Sequence, residues 1–518
     1  MNRAATLALA LLALPLAAPA KDLIGVFEDA VHNDPVIRQA DANRLAARES
    51  KPQALAALLP QVNGTAGWTR DHNSGIQTQI FSVPNPNIPG TQQLVTAQLP
   101  DTVDSTSYQW GLSLRQNVFS WSNWMSLKAA SHEVAQAEAN YAAAEQQLIL
   151  RVSQAYFAVL TAIDTLDADQ ASLEAISRQL DQANKRFEVG LIAITDVEDA
   201  KAARDSAAST VISAKRTLAT SEDQLQEITG QKYDSLSKPG PDMPLNNPDP
   251  ADQSRWVNIS LEQNLTLISS RLAADIAREN VRVAVGGHLP TLDLVAGRSY
   301  QQSNSNESFR NGPGDAPATF PDIFNKSNDR QIGLQFTLPI YSGGATQSRV
   351  RQAQYQWIAA KEGVVQSSRA TERQARDAYL GVISGIARVQ ALRQALESNQ
   401  TSLRATEAGY EVGTRTSVDV LNARRLLVQA QTDYAGARYD YIVSVLQLRL
   451  AAGNLDRTQL TELNGWLTQN APTSPPIATP ESVAPTVPES QSTQPPPPGT
   501  PPPRPPQQRP PGRPQGRG

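Results

Sequence analysis

Cysteine is absent from all 518 residues. That excludes a disulfide framework, a thiolate metal site and a cysteine nucleophile. Histidine is scarce: His32, His72, His132 and His288 are the four, none at metal-ligand spacing with another and none beside a serine elbow. No long apolar run follows residue 20, so no transmembrane helix is expected. The formal charge is only −4, and the two ends are positive, through Arg3 and through Arg504, Arg509, Arg513 and Arg517. The body between them is therefore acidic and lacks the basic stripe that nucleic-acid binding needs. Gly286-Gly287 and Gly343-Gly344 lack a strand–GxGxxG–helix setting and read as turns. With no convergent catalytic set, neither an enzyme nor a resident cofactor or metal is expected.

What is present begins with an export signal. Arg3 precedes an apolar run from Ala4 to Ala17, and Ala18-Pro19-Ala20 has the small-x-small pattern of a cleavage site. Residues 1–20 are thus expected to be removed. At the other end, residues 471–518 hold nearly half of the chain's 37 prolines. Proline at that density donates few backbone hydrogen bonds, so an extended, disordered tail is expected.

The body is organised by an internal repeat. Arg186-Phe-Glu-Val-Gly-Leu-Ile-Ala-Ile-Thr-Asp-Val reappears from Gly409 as Gly-Tyr-Glu-Val-Gly-Thr-Arg-Thr-Ser-Val-Asp-Val, and the register holds without gaps to Gly230 and Gly453. Ala47-Arg48-Glu49 and Leu59-Pro60 match Ala277-Arg278-Glu279 and Leu289-Pro290, and Val118-Phe119-Ser120 matches Ile340-Tyr341-Ser342. The expected division is a first repeat over 21–233, a linker over 234–254 and a second repeat over 255–470. Each repeat reads as helix, strand, loop, strand, long helix, helix.

Two periodicities carry the fold class. Leu148, Val152, Ala155, Val159, Ala162, Leu166, Leu173, Ile176, Leu180 and Phe187 keep a heptad seam, interrupted at Asp169 and Ala183. Tyr379 to Leu396 and Val420 to Leu448 repeat the pattern, so coiled-coil packing follows. Trp121 to Glu188 contains no proline or glycine, and one helix of that span would be roughly 100 Å long. The strand candidates alternate instead with period two. Tyr108, Trp110, Leu112 and Leu114 oppose Gln109, Gly111, Ser113 and Arg115; Ile332, Leu334, Phe336 and Leu338 oppose Gly333, Gln335 and Thr337. Val62 to Thr69 and Thr291 to Tyr300 alternate more weakly, and Arg70–Ser107 and Gln301–Arg330 read as long polar loops. Apolar-out, polar-in alternation flanked by Trp and Tyr fits a membrane barrel with a wet lumen. Four strands cannot close a barrel, and hydrocarbon leaves no partner for an open edge, so several chains must share one. The alternative is a soluble sheet in a non-channel periplasmic coiled-coil spacer or adhesin.

The polar candidates lie at the two repeated helix–helix turns. Gly190 and Gly413 stand where a helix ends in a left-handed residue, and Thr195 and Ser417 read as caps of the helices that follow. Asp196 and Asp199 come next in one repeat, Asp419 and Asn422 in the other, each pair on one helix face. Helix capping alone would account for the aspartates.

At these turns, at His288-Leu-Pro-Thr-Leu-Asp-Leu and at Leu338-Pro-Ile-Tyr-Ser-Gly-Gly, the chain resembles the outer-membrane factor family of TolC-type efflux ducts, from about Lys21 to Asn470. The resemblance implies an α+β membrane protein, a homotrimer with a 12-stranded barrel continuous with a helical tunnel across the periplasm. It implies passive export of small molecules or of proteins by type I secretion. The implied partners are outer-membrane lipid, a periplasmic adaptor (membrane fusion) protein and an inner-membrane RND or ABC transporter. It further implies that Arg415 and Tyr410, bonded to Thr195 and Asp196, hold the closed end, and that Asp419 lines a cation-binding ring. Asn422 stands where a second acidic residue is usual, and Asp199 occupies the matching slot of the other repeat.

Overall fold

The computed structural model describes residues 20–473 except 242, 310–315 and 317. The expected signal and nearly all of the proline-rich tail lie outside the described residues. Both halves follow the expected element order. The first has α1 (Leu23–Asn33), α2 (Pro35–Arg48), α3 (Ser50–Ala56), β1 (Gln61–Pro84), β2 (Gln92–Ser120), α4 (Trp121–Glu188) and α5 (Ile194–Thr229). After β3 (Ser235–Pro239) come α6 (Gln253–Gln263), α7 (Leu265–Val285), β4 (Thr291–Phe309), β5 (Ala318–Thr337), α8 (Ala345–Glu411) and α9 (Ser417–Ala452). The chain closes with α10 (Arg457–Asn464) and β6 (Leu467–Pro472).

Local chemistry explains the two longest helices. Ser120 caps α4 by accepting a hydrogen bond from the Asn123 N–H at 3.3 Å. With no proline or glycine to break it, α4 then runs for 68 residues, over the span expected. α8 starts after Gly343 and Gly344, whose φ values of 62° and 82° turn the chain out of the sheet, and continues for 67 residues. α4 holds the described helical stretch apolar enough to weigh as a membrane span, yet just over half of that window is buried inside the fold, as in a core helix.

The hydrophobic core sits midway along these helices. Tyr156 and Phe157 of α4 pack with Tyr439, Tyr441 and Leu446 of α9, with Leu218 and Leu225 of α5, and with Leu23, Leu236, Trp256 and Leu460 from the short elements. The aromatic rings of Phe157 and Tyr439 stack at 5.7 Å between centroids. The segment expected as a linker contributes to this belt, because β3 pairs antiparallel with β6. β6 crosses the point where the tail was expected to begin, and Ala471 is fully buried.

The large sheet has the order β1-β2-β4-β5, all antiparallel. Its period-two faces are as expected: Val62, Trp68, Tyr108, Trp110, Leu112, Ile332, Leu334 and Phe336 expose apolar side chains. β1 and β5 are its edges, each with one unpaired side in the single chain. One expectation fails. The segments read as long polar loops are mostly strand, since the β1–β2 ladder continues unbroken from Gln61↔Arg115 to Pro84↔Gln92. Only Asn85–Thr91 turns, and β4 and β5 similarly extend to Phe309 and Ala318. The polar Thr, Ser, Gln and Asn there have no apolar face to advertise a strand, but backbone pairing with a neighbour needs none.

Candidate functional site

The site lies where each long helix turns back. α4 ends at Glu188, and Gly190, at φ 75°, lets the chain reverse. The Gly190 N–H donates to Phe187 O at 2.9 Å and the Leu191 N–H to Arg186 O at 2.8 Å, the paired bonds of a Schellman motif. The second turn repeats it: Gly413 has φ 79°, its N–H donates to Tyr410 O at 3.2 Å, and the Thr414 N–H donates to Gly409 O at 2.8 Å. Both glycines therefore serve as expected.

The expected caps differ. α5 starts after Ala193, which offers no side-chain acceptor, and Thr195 lies one turn-position inside the helix. In the second turn Thr416, not Ser417, is the cap. Thr416 Oγ1 accepts from the Asp419 N–H at 3.2 Å, while the Asp419 carboxylate accepts from the Thr416 N–H at 2.9 Å, a reciprocal capping box. Ser417 instead is buried and accepts from Gln179 Nε2 at 3.3 Å, joining α9 to α4. The Thr416 backbone and hydroxyl bonds hold the Asp419 carboxyl below its usual range, helped by the charge of Arg415.

A second bridge between the halves comes from Arg186. Its guanidinium lies 5.0 Å above the Tyr410 ring, a cation–π contact. The matching position in the other half is Gly409, whose missing side chain leaves room for Arg415; a Cβ there would stand 2.7 Å from Arg415 Cγ. Tyr410 thus faces Arg186 rather than Asp196. Within one chain no hydrogen bond or ion pair among the described residues joins Arg415 or Tyr410 to Thr195 or Asp196, and Arg415 and Thr195 both face solvent. Arg424 pairs with Glu407, fastening α9 to α8 behind the turn.

Asp199 and Asn422 are brought to the same groove. Both line one groove of about 590 Å³ between α4, α5 and α9, with Asp169, Arg425, Gln429 and Thr165 also on its wall. Burial pushes the Asp169 carboxyl up from its ordinary value. Asp169 was one of the two interruptions of the α4 seam; the other, Ala183, is buried with Val197 and Ala200 in a small apolar cluster at the turn. Sequence reasoning did not single out Arg186 or Gln179. The change from Arg186 to Gly409 at one repeat position was the available signal.

Nothing here assembles a nucleophile, a base and an electrophilic pocket, and among the described residues no cluster of His, Cys, Asp or Glu could hold a metal ion. The family profile described as outer membrane efflux protein matches residues 26–231 and 256–454. The chain is 36% identical over 478 residues to "Outer membrane protein TolC" of Escherichia coli, covering 91% of this chain and 89% of that one. It is 25% identical over 440 residues to "Alkaline protease secretion protein AprF" of Pseudomonas aeruginosa, covering 85% of each. Among solved structures, the Campylobacter jejuni CmeC outer membrane channel superposes with a TM-score of 0.64 at 19% identity, over 86% of this chain and 90% of that one. These matches and the mixed helix–sheet architecture agree: the chain belongs to the outer membrane efflux protein family and is an exit duct of the outer membrane, not an enzyme.

Proposed function

We propose that three copies of the chain assemble into a 12-stranded barrel, four strands from each, continuous with a tunnel of coiled coils that reaches into the periplasm. The duct accepts small molecules, and proteins of the type I secretion class, from a periplasmic adaptor and an inner-membrane RND or ABC transporter, which supplies the energy. The carrying observation is the four-stranded sheet with an apolar outward face and two unpaired edges, β1 and β5. Lipid offers those edges no hydrogen bonds, so each must pair with a neighbouring copy. The two halves of the body, 21–233 and 255–470, act as repeats that build the same wall twice in each subunit, joined by 234–254.

The helical turns form the gate. Tyr410 ties the two halves within a chain through Arg186, while Arg415 reaches Thr195 and Asp196 of the neighbouring copy. Arg415 and Thr195 are both solvent-facing in the single chain, which supports a contact between chains. Asp419 lines the narrowest ring. Asn422 removes a second ring of charge, and Asp199, on the wall of the same groove, restores part of it.

Extraction tests the assembly. The protein should require detergent and migrate as a heat-resistant trimer; a monodisperse monomer free of membranes would restore the soluble spacer reading. Single-channel recording tests the ring. Asp419→Ala should weaken block by di- and trivalent cations several-fold, Asp199→Ala less so because Asp199 lies in the side groove between α4, α5 and α9. Asp419→Asn, which keeps a cap acceptor, should match the alanine variant if charge matters and match wild type if only the cap does. Because its carboxyl is held low, block at Asp419 should be complete above the ordinary carboxylate range and fade only as pH falls through the lowered value.

A further inference from the structure

The apolar face of the sheet carries a charge pattern that the duct does not use. Ladder rows on this face read Val62–Leu114–Ala296–Ile332, then Gly64–Leu112–Arg298–Arg330, then Ala66–Trp110–Tyr300–Asn328, then Trp68–Tyr108–Gln302–Lys326. Arg298 and Arg330 are therefore directly opposed cross-strand neighbours on the side otherwise given to Leu, Ile, Trp and Phe. Like charges so placed repel, and a lone cation on a lipid-facing strand is costly at mid-membrane and nearly free of cost at the interface. Both Arg298 and Arg330 are exposed, as is Lys326.

Among the described residues, no ion pair to a carboxylate is made by Arg298, Arg330 or Lys326. Arg298 lies over the Trp110 ring at 5.7 Å and Lys326 over the Tyr300 ring at 5.6 Å, and those two rings stack at 6.2 Å. By register, Asp71, Asp101, Asp293, Glu307 and Asp329 belong to the polar face. Asp104 shares the apolar face but is bonded to His72 at 2.7 Å. A neighbouring copy would not help: β1, the strand that would lie beside β5, contains a single acid, Asp71, on the wrong face.

Height places the cluster at a membrane surface. The chain joins its helices at the Gln61, Ser120, Thr291 and Thr337 ends of the strands, so Arg330 lies towards the hairpin tips. From Thr337, the end of β5, strand tilted by roughly 40° rises about 18 Å to Arg330 and about 28 Å to Lys326, which brackets the roughly 25 Å apolar band of such barrels. Arg298, Arg330 and Lys326 then stand at the outer rim of that band, with Trp110 and Tyr300 as the interfacial aromatics.

We propose that Arg298, Arg330 and Lys326, braced by Trp110 and Tyr300, form a docking site for the phosphorylated headgroup of an outer-leaflet lipid. Two guanidiniums side by side match phosphate oxygens in the bidentate fashion that lysine alone does not. This rests on the barrel reading above, and its test is chosen to fail separately from it. The full-length trimer is purified in detergent, exposed to bis-phosphorylated lipid A or to the same lipid dephosphorylated, and examined by native mass spectrometry. Wild type should retain the phosphorylated lipid preferentially. Arg298→Gln with Arg330→Gln should retain about tenfold less, from the loss of charge-assisted contacts, while Arg298→Lys with Arg330→Lys, which keeps the charge but loses the bidentate fork, should fall between the two. Arg330→Gln alone, a milder change on the edge strand, should lose several-fold and serves if the double variant does not assemble. Retention by the glutamine variants equal to wild type, indifference to phosphorylation, or displacement by millimolar inorganic phosphate would each overturn the site. A wild-type trimer that conducts yet behaves so would sink only this proposal; a wild type that neither trimerises nor conducts would sink the barrel.

Discussion

Arg415→Glu combined with Tyr410→Leu should convert a nearly closed channel into one that conducts in planar bilayers. The physical reason lies in the two turns. Arg415 is folded across Gly409, close enough to lower the Asp419 carboxyl, and makes no ion pair among the described residues of its own chain. On the proposed gate, reversing its charge would bring three anions together, at 415, at 419 and at Asp196 of the neighbouring copy. Tyr410 acts here through its ring, 5.0 Å beneath Arg186. Tyr410→Phe keeps that platform and should therefore open the channel much less than Tyr410→Leu. Coupling of about 1–3 kcal/mol would shift the open-to-closed ratio roughly 5–150-fold. Unchanged conductance in the double variant would remove Arg415 and Tyr410 from the gate. Equal opening by Phe and Leu would instead make the hydroxyl, not the ring, the active group.

Gly453→Ala should destabilise the assembled protein far more than Gly230→Ala, although the two glycines occupy the same repeat position. Both end a helix in the left-handed region, at φ 78° and 72°, which costs an L-residue roughly 1–2 kcal/mol. Their surroundings differ. A Cβ at Gly230 would meet only the side chain of Asn33, at 3.5 Å. At Gly453 it would fall 2.3 Å from Gln263 O and 2.8 Å from Asn264 Cα, which is backbone and cannot swing aside. Asn264 also caps α7 and donates to Ala451 O at 3.1 Å, so moving it loosens two helix ends. We expect a loss of about 3 kcal/mol or more for Gly453→Ala, read as a lower temperature of trimer dissociation or a lower denaturant midpoint. Matching losses at the two sites would show that backbone conformation alone, not the close approach, demands glycine at 453.

Legibility followed the range of the forces involved. The limits of α4 at Trp121 and Glu188 were open to reading because absence of proline and glycine acts locally. The seam from Leu148 to Leu166 was visible because burial on one helix face imposes a period; Phe187, at the end of that seam, is instead exposed at the turn. The capping residues were missed by one or two positions, since Thr416 and Ser417 are equally fit by type and only the backbone path selects between them. The polar hairpin extensions were missed for a related reason. Their pairing is made by backbone groups that every residue carries, so the side chains of Thr69 to Gln92 leave no periodic trace.

The sequence by itself determined the two periodicities, the reversal points at Gly190 and Gly413, the repeated order of elements and the lack of any catalytic set, because each depends on residue type and spacing along the chain. Only the tertiary structure decided that Arg186 lies over Tyr410, that Asp199 and Asn422 share a groove, that Gly453 abuts the backbone at Gln263, and that Arg298 faces Arg330. Those pairs stand tens to hundreds of residues apart. They meet because strand register and helix packing fold distant positions together, and a side chain's role at such a meeting is set by its neighbour as much as by its own chemistry.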